Sequence, residues 1–319
     1  MLNKLFYKMF LLIIGLTLIL VACEEEGKKY SVCENLETRE FDKNVERYPW
    51  AAEEKFYKMD PVDLCNKTHQ VYSEVDQSEK VDNPLGIISP HAGWQYSGIV
   101  TATALEMVQV PDLVILLGNN HKDNGRPYAV WTDLPWAFPF GNVSVDQNLA
   151  EQFVDEVDLL EADHAAHLQE HSNEIQVVWL HHKNPDLRIV PIAIDNTGNV
   201  QDLLDIGEQI AGVLENVDEP YLIIMSTDLT HYKNYETVEE QDQQMIDEML
   251  KLDPEALFLL VKNNSDLNMC GLEPVVAGMQ AILTLGASKA VLAKYRTSYE
   301  AFNSNPDSTV GYASIVITK

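Results

Sequence analysis

The chain predicts an α/β fold, a three-layer α-β-α sandwich around a largely parallel or mixed central sheet. Three short apolar runs, Leu85–Ile88, Leu113–Gly118 and Leu222–Thr227, read as buried strands. Stretches with helical periodicity separate them, the alternation that covers both faces of a parallel sheet. Each run also exits onto chemistry: His91, His121, and Asp228 with His231. Open α/β sheets place ligand chemistry at the carboxyl ends of strands, so the three exits predict one shared site.

The N-terminus comes first. Lys4 and Lys8 precede an apolar stretch, Met9 to Leu20, closed by Leu20-Val21-Ala22-Cys23 and then Glu24-Glu25-Glu26. A basic start, a short apolar run and a small-residue end form a secretory signal, too short for a membrane span. The four closing residues fit a bacterial lipobox with Cys23 as the lipidated residue. The expectation is a signal peptide over 1–22, a charge-rich tether over 23–46 and one α/β domain over 47–319. The product would be an extracytoplasmic bacterial lipoprotein, anchored to the membrane through lipid on Cys23. In an oxidising compartment Cys33 and Cys65 are able to pair, although sequence leaves their separation open. Cys270 is then the odd thiol.

The domain elements follow in order. Asp60-Pro61 reads as a helix N-cap with proline at the first position, and Leu64, Val71 and Val75 supply the stripe behind it. After the His91 exit, Tyr96–Val108 is helical. Tyr128–Trp131 reads as a short strand and Leu134–Gly141 as an aromatic, proline-rich loop. A helix runs from Gln147 to about Leu160, and another over Glu170–His182 with Ile175, Val178 and Trp179 inward. Leu187–Ile194 is a strand, Val200–Leu214 a helix, Tyr221–Thr227 a strand and Val238–Leu250 a helix. Asp253 caps Pro254–Lys262, and Cys270-Gly271-Leu272-Glu273-Pro274 opens a helix to Leu285. Ala290–Tyr295 and Tyr312–Thr318 close the chain as strands without a predicted helix between them, hence the mixed sheet.

The formal charge of -28 repels nucleic acid and anionic headgroups, so no nucleic-acid partner is expected. The expected partners are the membrane through the lipid, a small molecule of unknown identity and, given the acidic body, a basic protein partner.

The residues able to carry chemistry are His91, His121, Asp228, His231 and Cys270, with Glu170, His171 and Glu174 beside them. Imidazoles suit iron, copper and zinc, and a thiolate adds preference for softer ions. Cys270 precedes a helix, whose N-terminus is expected to favour thiolate. Each residue has an ordinary alternative: a histidine can hydrogen-bond a turn, Asp228 can cap a helix and a free cysteine can fill a core. His164 and His167 read as a solvated helix face, and His181-His182 as cations at a helix end. The combination of positions carries the functional argument.

These residues lie in motifs that resemble the Memo family, whose bacterial members are called AmmeMemoRadiSam system protein B. The motifs are FYKMDPVDL at Phe56–Leu64, PHAGWQYSG at Pro90–Gly98, LGNNH at Leu117–His121 and PFGNVSVD at Pro139–Asp146. AHLQEHSNEIQ at Ala166–Gln176, STDLTHY at Ser226–Tyr232, CGLEP at Cys270–Pro274 and GYAS at Gly311–Ser314 follow. The resemblance implies a fold like that of class III extradiol ring-cleaving dioxygenases. It implies one iron or copper ion, zinc being less expected, on His91, His121 and Cys270, with Asp228 and His231 lining the same cavity; from their place at the strand end, Asp228 and His231 are the expected catalytic groups. Glu170, His171 and Glu174 would line or support the pocket. The related dioxygenases complete a two-histidine iron site with a carboxylate, where this chain offers a thiol. A metal-dependent oxidoreductase is therefore expected, the alternatives being a non-catalytic metal- or partner-binding lipoprotein and a zinc hydrolase with Glu170 or Asp228 as base.

Overall fold

The computed structural model describes residues 30–76, 79–196, 198–303 and 305–319. The signal-like stretch 1–22 and Cys23 lie outside the described residues.

The strands are β1 (Pro84–Ser89), β2 (Leu113–Asn119), β3 (Tyr128–Val130), β4 (Trp136–Phe138), β5 (Gly141–Val145), β6 (Glu161–Ala162), β7 (Arg188–Ile194), β8 (Tyr221–Ser226), β9 (His231–Lys233), β10 (Lys289–Thr297) and β11 (Thr309–Thr318). They form a mixed sheet with the main order β10-β11-β1-β8-β2-β7-β3-β6. The centre, β1-β8-β2-β7, is parallel. The returning β11 runs antiparallel to β1 and β10. In register, Ser89 stands opposite Ser226 and Leu117 opposite Met225, so the polar exits of β1, β8 and β2 emerge together on one edge.

The helices are α1 (Trp50–Glu53), α2 (Pro61–Ser73), α3 (Trp94–Met107), α4 (Gln147–Glu156), α5 (Ala165–Leu168), α6 (Glu174–Lys183), α7 (Val200–Leu214), α8 (Tyr235–Lys251), α9 (Pro254–Asn263), α10 (Leu272–Thr284) and α11 (Ser298–Phe302). The period of two along each strand divides the core. Ile88, Ile115, Leu117 and Ile192 face a layer built on α7, α8 and α10. Ile87, Val114, Leu116 and Ile189 face α2, α3 and α6. Burying each such side chain stabilises the fold by roughly 1.5–3 kcal/mol. Side-chain caps on Asp60, Asn199, Asn234 and Asp253 start α2, α7, α8 and α9, with proline at the first position of α2 and α9. Among the described residues no helix is long and apolar enough to cross a membrane.

Four expectations change. The helix expected over Glu170–His182 begins only at Glu174, because Glu170 turns its carboxylate back onto the amides of His171 and Ser172. The aromatic loop Leu134–Gly141 contains β4, which pairs antiparallel with β5. His167 is no solvated residue: it is buried with Nε2 at 3.2 Å from the Ala129 carbonyl oxygen, while His164 stacks on Trp131. From Tyr30 onward, the segment expected as a tether packs against the domain. Cys33 and Cys65 form a disulfide with Cα atoms 5.7 Å apart, and the Tyr30 amide donates to Asn66 Oδ1.

Candidate metal centre

β1 ends at Ser89 and delivers His91, while β2 delivers His121 two residues past its last strand residue. Gly118 permits the close seating of the turn beyond β2. A Cβ there would lie 2.4 Å from Asn173 Oδ1 and 2.6 Å from Ser172 Oγ. β8 delivers Asp228, and Cys270 arrives from the loop that opens α10. One donor atom from each of His91, His121 and Cys270 lies within 4.8 Å of the others. His91 and His121 stand edge to face with ring centroids 5.0 Å apart, and Cys270 Sγ is 3.1 Å from His91 Nε2.

The hydrogen bonds behind these rings fix which nitrogen faces the cluster. Ser226 Oγ donates its one proton to the Ser172 carbonyl at 2.7 Å. It must then accept from its other two neighbours, Gln176 Nε2 and His91 Nδ1, both at 2.9 Å. His91 therefore carries its proton on Nδ1 and turns a bare Nε2 toward Cys270. His121 is set the same way by a carboxylate, since its Nδ1 lies 2.9 Å from Glu170 Oε1. Glu170 Oε2 also accepts from the His121 amide, and Oε1 from the amides of His171 and Ser172. Burial alone would push the Glu170 carboxyl up. The hydrogen bond from His121, the neighbouring imidazoles and the Ser172 amide outweigh it and hold it well below the usual carboxylate range. An ionised Glu170 accepts the Nδ1 proton, so His121 turns its other ring nitrogen, Nε2, to the cluster. A partner that fixes the tautomer of an imidazole behind a donor nitrogen is a regular device of metal ligation.

Cys270 departs from expectation. Burial, then the charge of Asp228, pushes its thiol well above the ordinary value. The helix N-terminus does not rescue the thiolate, because the Gly271 amide is taken by Thr227 Oγ1. The Asp228 amide, 3.3 Å away, is what points at Sγ. A half-buried thiol facing two imidazole rings is a protonated donor that a cation would convert to thiolate. Burial and the proximity of His121 push the His91 imidazole well below its ordinary value, and burial brings His171 to about 3. The His91 ring is therefore neutral at pH 7, as ligation requires, and His171 beside it adds no positive charge. This donor set therefore fits one soft or borderline metal ion.

The cluster opens into a cavity of about 890 Å³, lined also by Phe56, Tyr96, His171, Asp228, His231 and Tyr312. His171 stacks on His121 at 4.5 Å and leans on Phe56. Asp228 Oδ1 accepts from the amides of His91 and Ala92 at 2.8 and 3.3 Å, and burial raises its carboxyl. His231 Nδ1 is buried and lacks a hydrogen-bond partner. A larger hollow of about 1060 Å³ at the opposite end of the sheet is lined by groups such as Lys80, Leu85, Asp112 and Tyr221, and gathers none of these donors.

Glu174, expected to line or support the pocket, does not line the cavity. It is fully buried and holds Arg47 at 2.6 Å, the Tyr57 hydroxyl at 2.7 Å and the Ala51 amide at 3.0 Å. Arg47 in turn donates to the carbonyls of His167 and Glu170 and lies over Trp136. The pair ties the segment that carries α1 to the turn that presents Glu170 and His171. Ser226 and Gln176, which set the His91 tautomer, stand within the sequence motifs but had no assigned role there. A serine and a glutamine 50 positions apart show their purpose only once the fold brings them together.

A mixed sheet flanked by helices, with a His–His–Cys donor cluster at its carboxyl edge, defines an α/β protein with a candidate metal-binding cavity. The family model for Memo-like proteins matches residues 47–316. A MEMO1 family protein of Methanopyrus kandleri is 32% identical over 286 residues, covering 86% of this chain and all of the relative. One from Methanococcus maripaludis is 36% identical over 243 residues, covering 73% and 84%. The chain belongs to the Memo-like family. A solved structure of an uncharacterized Escherichia coli K12 protein aligns with a TM-score of 0.47 at 12% identity over 73% of this chain and 99% of that one, a likeness too remote to argue from.

Proposed function

We propose that this protein holds one iron or copper ion on His91, His121 and Cys270 and serves an oxidoreductase-type reaction on a small molecule in the adjoining cavity. The observation that supports it most is the paired ring lock, in which Ser226 and Glu170 hold the two imidazoles by Nδ1 and leave their Nε2 edges to face one thiol. Bound there, the ion would supply electron transfer and a Lewis-acidic open position. The protein's own residues do the rest. Phe56, Tyr96 and Tyr312 wall the cavity and favour a ligand with an apolar face. Asp228 holds the turn under His91. His231, with an unused ring nitrogen beside the cavity, is placed to give or take a proton.

The zinc-hydrolase alternative loses its first candidate base. Glu170 accepts four hydrogen bonds and is held ionised by them, so it is committed to orienting His121. We also propose that the domain acts outside the cytoplasm, tethered through Cys23. The lipobox-like Leu20–Cys23 stretch supports this, as does the Cys33–Cys65 disulfide, of a kind that persists in oxidising compartments.

The test is the metal content of residues 24–319 purified anaerobically without a histidine tag. Near-stoichiometric iron or copper, lost in His121→Ala and Cys270→Ser, is expected. A folded protein that neither retains metal nor takes up added iron, copper or zinc would overturn the reading in favour of a metal-free binding module.

A further inference from the structure

Two of the motifs, STDLTHY and GYAS, meet over a carboxylate that neither contains. Asp242 lies in the middle of α8 and is fully buried. Its Oδ1 accepts from the Thr230 amide at 2.9 Å and its Oδ2 from the Tyr295 hydroxyl at 2.8 Å. The segment it grips is a crossed pair. The Leu229 amide donates to the Gly311 carbonyl and the Gly311 amide to the Thr230 carbonyl, both at 3.0 Å, so 229–230 is stapled to the start of β11. Gly311 is required there, because a Cβ would lie 1.6 Å from Asp242 Oδ2. Immediately before the staple stands Asp228, which holds the His91 amide and directs its own amide at Cys270 Sγ. Immediately after it stands His231, paired with Val310 at the opening of β9.

We propose that Asp242 is a positioning residue for the metal-facing loop 228–231, acting through Thr230 and Gly311 on Asp228, His231 and, one contact further, Cys270 and His91. It touches neither the cavity nor any candidate ligand. Its burial is otherwise costly. A carboxylate enclosed in the core persists only where fixed donors require it, and here they are one loop amide and one phenol. Burial pushes its carboxyl up to about 6, so at neutral pH it is still mostly the ionised acceptor that both donors need. This assignment rests on the metal reading above for its consequence, while the geometry of the staple stands apart from it.

The experiment combines Co²⁺ titration with residue-resolved amide hydrogen exchange on the whole domain, for the parent, Asp242→Ala, Asp242→Asn and Tyr295→Phe. Outer-shell partners of metal sites typically contribute 10–100-fold in affinity, so Asp242→Ala is expected to weaken Co²⁺ binding by about that factor. Asp242→Asn keeps an acceptor for the Thr230 amide and is expected near the parent. Tyr295→Phe, which removes only the phenolic donor, should fall between them and serves if the alanine variant does not fold. Exchange should quicken at 229–231 and at Gly311 while β1, β2 and β8 keep their protection. Unchanged Co²⁺ affinity in Asp242→Ala and Tyr295→Phe would overturn the proposal. So would exchange that rises equally across the central sheet, which would make Asp242 a general stabiliser. If the parent bound no Co²⁺, the metal reading would fail, and the local exchange pattern alone would still decide the positioning role.

Discussion

Replacing Glu170 by glutamine changes one atom and removes the charge that sets His121. Three of the four hydrogen bonds that Glu170 accepts converge on Oε1, from His121 Nδ1 at 2.9 Å and from the amides of His171 and Ser172 at 2.8 Å each. The fourth joins Oε2 to the His121 amide at 2.6 Å. A glutamine that keeps its oxygen at the Oε1 position must point an NH₂ at the His121 amide, donor against donor. One charged hydrogen bond is lost outright, at about 1.5–3 kcal/mol, and the other three weaken because their acceptor is now neutral. The predicted loss of stability is about 2–4 kcal/mol, read as a lower urea midpoint at unchanged slope. His121 also loses the anion that pins its proton on Nδ1, so metal affinity should fall by about 10–100-fold, measured by competition against a chelator. A variant with parental midpoint and parental affinity would refute the claim that Glu170 orients His121.

Three further outcomes follow from buried groups. Ser226→Ala leaves His91 Nδ1–H, Gln176 Nε2 and the Ser172 carbonyl without their shared partner; the expected cost is about 1–3 kcal/mol for a buried group left unpaired, with weaker metal uptake, checked by thermal melts and Co²⁺ titration. Asp242 carries a proton more tightly folded (about 6) than unfolded (3.8), so its contribution to stability is full below pH 4 and is lost as pH rises through 6. The resulting difference, on the order of 3 kcal/mol between pH 4 and 7, should vanish from urea melts of Asp242→Asn relative to the parent. The Cys33–Cys65 disulfide closes a loop of 32 residues, which corresponds to about 3–4 kcal/mol of chain entropy. Melts of Cys33→Ser/Cys65→Ser should show that loss without affecting metal content, since the bridge lies away from the cavity residues.

Much of the fold was legible because its signals are local. The apolar runs of β1, β2 and β8 and the Asp60-Pro61 and Asp253-Pro254 caps need no tertiary knowledge to read. His91, His121 and Cys270 stand out for the same reason, as polar groups at strand exits or a helix start. What sequence could not supply is partnership. Glu170 and Glu174 look alike in one helical pattern, yet one orients His121 and the other meets Arg47, 127 residues earlier. Cys270 reads as an activated thiol by its place before a helix, but the helix amide is consumed by Thr227 and burial reverses the shift. Asp242 carries no motif at all. Its role depends on Thr230, Tyr295 and Gly311 arriving from three other elements.

The most direct test of the central claim is X-ray absorption at the metal edge of the anaerobically loaded protein, with Cys270→Ser as its control. The account predicts a first shell with one sulfur and two imidazole nitrogens, the sulfur disappearing in the serine variant. A shell of oxygen and nitrogen alone in the parent, or a sulfur that persists without Cys270, would contradict it.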